Sequence, residues 1–124
     1  MKLLIDTHAA LWFLEGDPSL SAVALSLIED DSIERRLSAA SVWEVAIKRG
    51  TGKLTATADF HERMERKGVR GLSVTDAHAA AVTDLPMHHR DPFDRLLVAQ
   101  ARIEGMSILS KDENLRAYDV PVVW

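Results

Sequence analysis

Two short apolar runs stand near opposite ends of the chain, Lys2–Ile5 (KLLI) and Ser107–Leu109 (SIL). Runs this short and unbroken suit strands buried on both faces, the kind found in parallel sheets with helices packed on either side. The sequence between them alternates strand and helix patterns. Residues 7–15 read as a helix ended by Gly16 and Pro18, and residues 21–30 as a second helix with Val23, Leu27 and Ile28 on one face. Residues 36–39 read as a short strand, residues 41–49 as a helix stopped by Gly50, and residues 58–67 as a charged helix ended by Gly68. A strand at 72–74 and a helix at 76–83 follow. The clearest helix is 92–104, closed by Gly105. A short helix at 113–118 leads to a last strand at 120–124, where Pro121 favours a sheet edge. No repeat, low-complexity tract or linker interrupts this pattern, so one domain over residues 1–124 is expected.

In open parallel sheets, ligands bind beyond the carboxyl ends of the strands, near the point where strand order reverses. Acidic residues that follow strands therefore carry the most information. Asp6 follows KLLI, Glu44 lies in the first turn of the helix after the second strand, and Asp112 comes just after SILS. Asp94 lies in the first turn of the clearest helix. Three of them also have a purely structural explanation. Asp6 and Asp112 suit helix N-caps, and Ser41 with Glu44 has the S-x-x-E spacing of a capping box.

Asp94 is harder to explain by capping. In HRDPFDRLL, Pro92 suits the first helical position, which makes Asp91 the N-cap and puts Asp94 at the third. Asp94 then shares a face with Leu97, Val98 and Ala101, while Asp91 lies toward Arg95 and Arg102, which read as solvated. A carboxylate at the head of a buried stripe must be protonated, paired with a cation or bound to metal. Clustered carboxylates repel one another, and Mg²⁺ or Mn²⁺ relieves the repulsion through oxygen ligands. Such a pocket points to phosphoryl chemistry.

The segments LLIDTHAALWFL, SAASVWEVAIKRGTGKL, HRDPFDRLLVAQA and ILSKDENLRAYDVPVVW, in this order, resemble the PIN-domain ribonucleases, specifically VapC-type toxins of bacterial toxin–antitoxin pairs. The similarity runs from Lys2 to Trp124 and is weakest between Ala56 and Met87. It implies a single-domain α/β/α sandwich with a mainly parallel, Rossmann-like sheet and Mg²⁺-dependent endonucleolytic cleavage of RNA. The four family acids fall on Asp6, Glu44, Asp94 and Asp112. Asp6 and Asp94 are the expected principal Mg²⁺ ligands, with Glu44 and Asp112 completing the cluster and orienting the attacking water. The family often carries Thr and a small residue where this chain has Ser110 and Lys111, and Glu113 sits beside Asp112 as a competing acid. The resemblance also implies a homodimer and a cognate antitoxin whose segment obstructs the site.

Lys48, Arg49 and Lys53 are candidate RNA phosphate contacts, against the simpler reading of a solvated helix end. Thr7 is expected near the site or as support for the first helix turn. His88 and His89 read as surface or cap residues and His8 as packed or solvent-facing. Trp12, Phe13 and Leu14 read most simply as core, at least in part, although a run of three large apolar residues can also expose one of them for a dimer or antitoxin groove. The net charge of −4 argues mildly against nucleic acid, but the basic residues are clustered. No cysteine is present, which excludes disulfides and thiolate metal sites. Asp6 and His8 break the first apolar run too early for a signal peptide, so a cytoplasmic protein off the membrane is expected. A receiver domain would need an acidic pair after the first strand, and a haloacid-dehalogenase-like phosphatase would need D-x-D; His8 stands where the second acid belongs. The stronger rival is a non-catalytic PIN-like module that binds RNA or protein, which the presence of all four acids disfavours.

Overall fold

The computed structural model describes residues 1–56 and 58–124. Its elements in chain order are β1 (Lys2–Ile5), α1 (Thr7–Glu15), α2 (Ala22–Glu29), β2 (Glu34–Ser38), α3 (Ala39–Gly50), α4 (Phe60–Arg66), β3 (Arg70–Leu72), α5 (Asp76–Ala81), α6 (Pro92–Glu104), β4 (Ser107–Leu109) and β5 (Val122–Val123). Short 3₁₀ turns at Val82–Asp84 and Glu113–Ala117 follow α5 and β4. The strands form one sheet in the order β3-β2-β1-β4-β5, with every neighbouring pair parallel. The chain steps outward from β1 to β3, then crosses back to build β4 and β5 on the other side. Strand order therefore reverses between β1 and β4.

The period of two in the strands explains the layers. Leu3, Ile5 and Leu109 join one buried cluster with Ala9, Ile28, Val45 and Met64. Leu4 and Ile108 point the other way, into a second cluster with Leu97, Val98, Ala101 and Leu115. Apolar residues on both faces are what a central parallel strand requires. Asp6 and Asp91 cap α1 and α6, and Gly16 and Gly105 end them in the left-handed conformation, at φ 65° and 66°.

Several boundaries differ from the sequence pattern. β2 starts at Glu34, two residues before the expected strand, and includes a buried arginine. Arg35 is tolerated there because its guanidinium donates to the carbonyls of Ile28 and Lys67 and pairs with Asp31 at 2.9 Å. α3 begins at Ala39 with Ser38 as its cap, so Ser41 and Glu44 lie inside the helix and form no capping box. On α2 the buried residues are Ala24 and Ile28, whereas Val23 is exposed. β3 is set by its pairing to β2, Arg36 opposite Arg70 and Ser38 opposite Leu72, and not by its own apolar residues.

Arg95 also departs from expectation. Arg102 is exposed, but Arg95 is buried and donates to the carbonyls of Pro86 (2.9 Å), Val82 (3.1 Å) and Leu85 (3.3 Å) and to the Tyr118 hydroxyl (3.2 Å). It ties α6 to the segment that leads into it. Replacing Arg95 by Leu leaves these acceptors without their donor, and chemical denaturation should show a loss of about 2 kcal/mol or more.

Candidate active site

The site lies where strand order reverses. β1 and β4 are in register, with Ile5 beside Leu109, and the Asp6 N–H extends the ladder by donating to the Leu109 carbonyl at 3.1 Å. Asp6 and Ser110 therefore leave the sheet side by side, and the Ser110 side chain hydrogen-bonds the Asp6 carboxylate. One Asp6 oxygen, Oδ1, accepts the Ala9 N–H at 2.8 Å as the α1 cap. Capping and site-building thus coexist in Asp6. Its carboxyl is buried, and burial raises its pKa against the lowering effect of the Ser110 and Ala9 bonds.

Glu44 reaches the same place from α3 and is buried. Thr7, the first residue of α1, brings its hydroxyl within 2.7 Å of Glu44 Oε1 and 2.9 Å of Ser41 Oγ. Lys48, one turn further along α3, holds Glu44 Oε2 at 2.5 Å. Lys48 thus faces the acidic cluster, whereas Arg49 and Lys53 are exposed. Thr7 takes the site-supporting role of its two expected ones.

Asp91 Oδ1 accepts the N–H groups of Phe93 (2.9 Å) and Asp94 (3.4 Å). The cap leaves the Asp94 side chain free of that duty. Asp94 is pushed up to about 7, mainly by burial, with added repulsion from Asp91, Asp6 and Glu44 and some relief from His89. Asp6, Glu44 and Asp94 thus share one electrostatic environment.

Asp112 caps the following 3₁₀ turn through Oδ1, which accepts the Asn114 N–H at 2.9 Å. Its Oδ2 lies 3.0 Å from His89 Nε2, and Asp94 Oδ2 lies 3.3 Å from the same nitrogen. Glu113, the competing acid, is 83% exposed and pairs with Arg116.

His89, expected at the surface or as a cap, is half-buried between the acids. Its Nδ1 accepts the Asp91 N–H at 3.0 Å. An accepting Nδ1 carries no proton, so Nε2 carries it and donates toward Asp112 and Asp94. The signal available in the sequence was its position two residues before an N-cap aspartate, where a ring can fold back over the helix start. His88 is exposed, with its ring 5.1 Å from that of Tyr118. His8 is exposed and tilts against Trp12.

The donor set fits a hard divalent cation. Asp6 and Asp94 are carboxylates held at raised pKa by burial and mutual repulsion, which positive charge relieves. Among the described residues, His89, Asp94 and Asp112 present ligand atoms within 4.8 Å of one another. With its Nε2 protonated, His89 contributes a donor there and no lone pair, so the carboxylates supply the ligand atoms.

The raised Asp94 pKa has a signed consequence. Between its unfolded value and about 7 the folded state binds the extra proton, so stability falls as pH rises through this window. In chelator, Asp94→Asn should melt higher than the wild type above pH 7, and the difference should shrink toward pH 4. Thermal melts across that range measure it.

Comparison with known proteins bears on the family and the fold. The family model described as PIN domain matches residues 3–121. Ribonuclease VapC22 of Mycobacterium tuberculosis is 27% identical over 128 aligned positions, covering 98% of each chain. Among solved structures, the complex of VapBC2 from Rickettsia felis with a fragment of promoter DNA matches with a TM-score of 0.69 at 12% identity, covering 99% of this chain and 98% of that one. FitAcB from Neisseria gonorrhoeae matches with a TM-score of 0.67 at 20% identity, covering 98% and 96%. At these identities the structures show a shared fold. The match over nearly the whole length shows that this chain belongs to the PIN domain family.

Proposed function

We propose that residues 1–124 form one nuclease domain, a divalent-metal-dependent endoribonuclease that acts as the toxin of a type II toxin–antitoxin pair and arrests translation and growth by cutting RNA. The observation that carries this reading is the convergence of Asp6, Glu44, Asp94 and Asp112 at the strand-reversal point, with Thr7, Lys48 and His89 holding the acids in place. The ribonuclease named above supports it, as does the fold shared with a toxin–antitoxin complex from Klebsiella pneumoniae (TM-score 0.66 at 15% identity).

In this reading Asp6 and Asp94 hold Mg²⁺, or Mn²⁺, directly or through water. A cation held there would supply positive charge to the phosphate and acidify water. Glu44, fixed by Thr7 and Lys48, and Asp112, fixed by His89 and the Asn114 N–H, orient the water for in-line attack on the phosphodiester. His89 Nε2–H bridges the Asp94 and Asp112 carboxylates and holds them facing the same point. Arg49 and Lys53 contact RNA phosphates, and Lys48 joins them at the rim while holding Glu44. Removing Arg49 and Lys53 together should weaken RNA binding and flatten its salt dependence.

The antitoxin is proposed to lie in the groove between α1, α2 and α4, a cavity of about 570 Å³ with Phe13, Leu14 and Leu25 beside Arg66 and Lys67. Its walls suit an apolar segment flanked by acids. A second copy of the chain is proposed to cover Trp43, which is 61% exposed and packs edge-on against Phe93. No helix among the described residues is long and apolar enough to cross a membrane, and a cytoplasmic site of action is part of the proposal.

Induced expression of the wild type and Asp94→Asn in bacteria tests the reading, with growth and total-RNA integrity followed together. Growth arrest with RNA cleavage in the wild type alone is the expected result, and equal effects from both variants would sink it. Purified protein that holds RNA without metal and releases no product would point to the binding-module alternative. Cleavage by the wild type should rise with pH through about 7, because a protonated Asp94 competes with the cation.

A further inference from the structure

One cavity opens directly onto the acidic cluster. It has a volume of about 320 Å³ and is lined by Asp6, His8, Trp12, Lys111 and Asp112. Two of its walls are site acids, and the other three have no part in the chemistry above. Trp12 is half-buried and forms the aromatic wall. The ring packs edge-on against Trp124, with centroids 5.9 Å apart. His8 tilts against it at the same separation, and the Lys111 ammonium lies 5.8 Å from the Trp12 centroid. Lys111 is itself exposed.

Resting on the nuclease reading above, we propose that this cavity is a nucleobase subsite, which receives the base next to the scissile phosphate of a single-stranded RNA. A fixed indole offers a flat π-face, on which any base stacks. The Lys111 ammonium lies over that face, 5.8 Å from the centroid. It is exposed and its hold on the ring is weak, so an arriving base displaces it toward the backbone phosphate. Besides His8, the remaining walls are Asp6 and Asp112, so an occupant of the cavity belongs to the nucleotide adjoining the reacting phosphate. Bases within a duplex are stacked on their neighbours and do not present a free face, which makes unpaired RNA the substrate form that fits. Stacking tolerates every base, so the subsite sets the position of the cut strand more than its sequence.

The test uses the full chain and a fluorescein-labelled eight-nucleotide RNA, as a single strand and as a duplex. Binding is read by anisotropy in chelator at low salt, and each variant is first checked by thermal melting. The wild type should prefer the single strand. Trp12→Leu should weaken single-strand binding at least tenfold, while Trp12→Phe, which keeps a ring, stays within about threefold. Lys111→Ala should weaken binding and lower the salt slope by about one. Equal affinities for Trp12→Leu, Trp12→Phe and the wild type would overturn the subsite. If Trp12→Leu fails to fold, unchanged affinity and salt slope in Lys111→Ala would overturn it alone. The nuclease reading is judged separately, by wild-type cleavage of the same strand in Mg²⁺. Cleavage with no effect of these substitutions removes only the subsite, whereas no cleavage in any divalent metal removes the nuclease reading itself.

Discussion

The hydrogen bond from the Asp6 N–H to the Leu109 carbonyl is the rung on which the site depends. It carries the β1–β4 pairing one residue past the end of β1 and brings two chain segments together that are more than a hundred residues apart. Because parallel strands all end on the same side, Asp6 and Ser110 emerge together at one edge. The helices that start from that edge then add the rest, with α1 supplying Thr7 and α3 and α6 supplying Glu44 and Asp94. A slip of one residue between β1 and β4 would turn Leu4 and Ile108 to the wrong cores and separate Asp6 from Ser110.

Capping a helix and facing the acidic cluster are compatible uses of the same acids. A carboxylate has two oxygens, and Asp6 and Asp112 each give one to a backbone N–H. The cap fixes the side chain and leaves the second oxygen directed at the cluster. At α6 the two duties fall on different residues. Asp91 takes the N–H groups, and its charge then raises the pKa of Asp94, which caps nothing. Repulsion among acids that the backbone holds in place is what makes a bound cation favourable there.

Basic groups hold this arrangement without neutralising it. Lys48 anchors Glu44 and His89 spans Asp94 and Asp112. Arg95 binds the carbonyls of the segment before α6, and the Tyr118 hydroxyl meets both Arg95 and the His89 N–H. The position of His89 is thus built from the second core outward.

Much of this was legible in the sequence because it is local. The KLLI and SIL strands, the α1 and α6 boundaries, and the choice of Asp94 over Asp91 follow from side-chain period, proline and glycine positions and cap chemistry, all set within one or two turns. Asp6, Glu44 and Asp112 stand out as acids that follow strands, and Asp94 as the acid in the first turn of α6 that the Asp91 cap leaves free. Less legible were β2, whose buried Arg35 hides a strand behind charge, and the start of α3, where Ser38 and not Ser41 is the cap. His89, Arg95 and the inward turn of Lys48 were not legible, because their partners lie elsewhere in the chain or across a helix turn that fits solvent equally well. The sequence alone determined which residues can form a parallel sheet and which acids follow its strands. Only the tertiary structure decided which acids meet and what holds them, since burial and long-range hydrogen bonds exist only once the sheet has brought distant segments together.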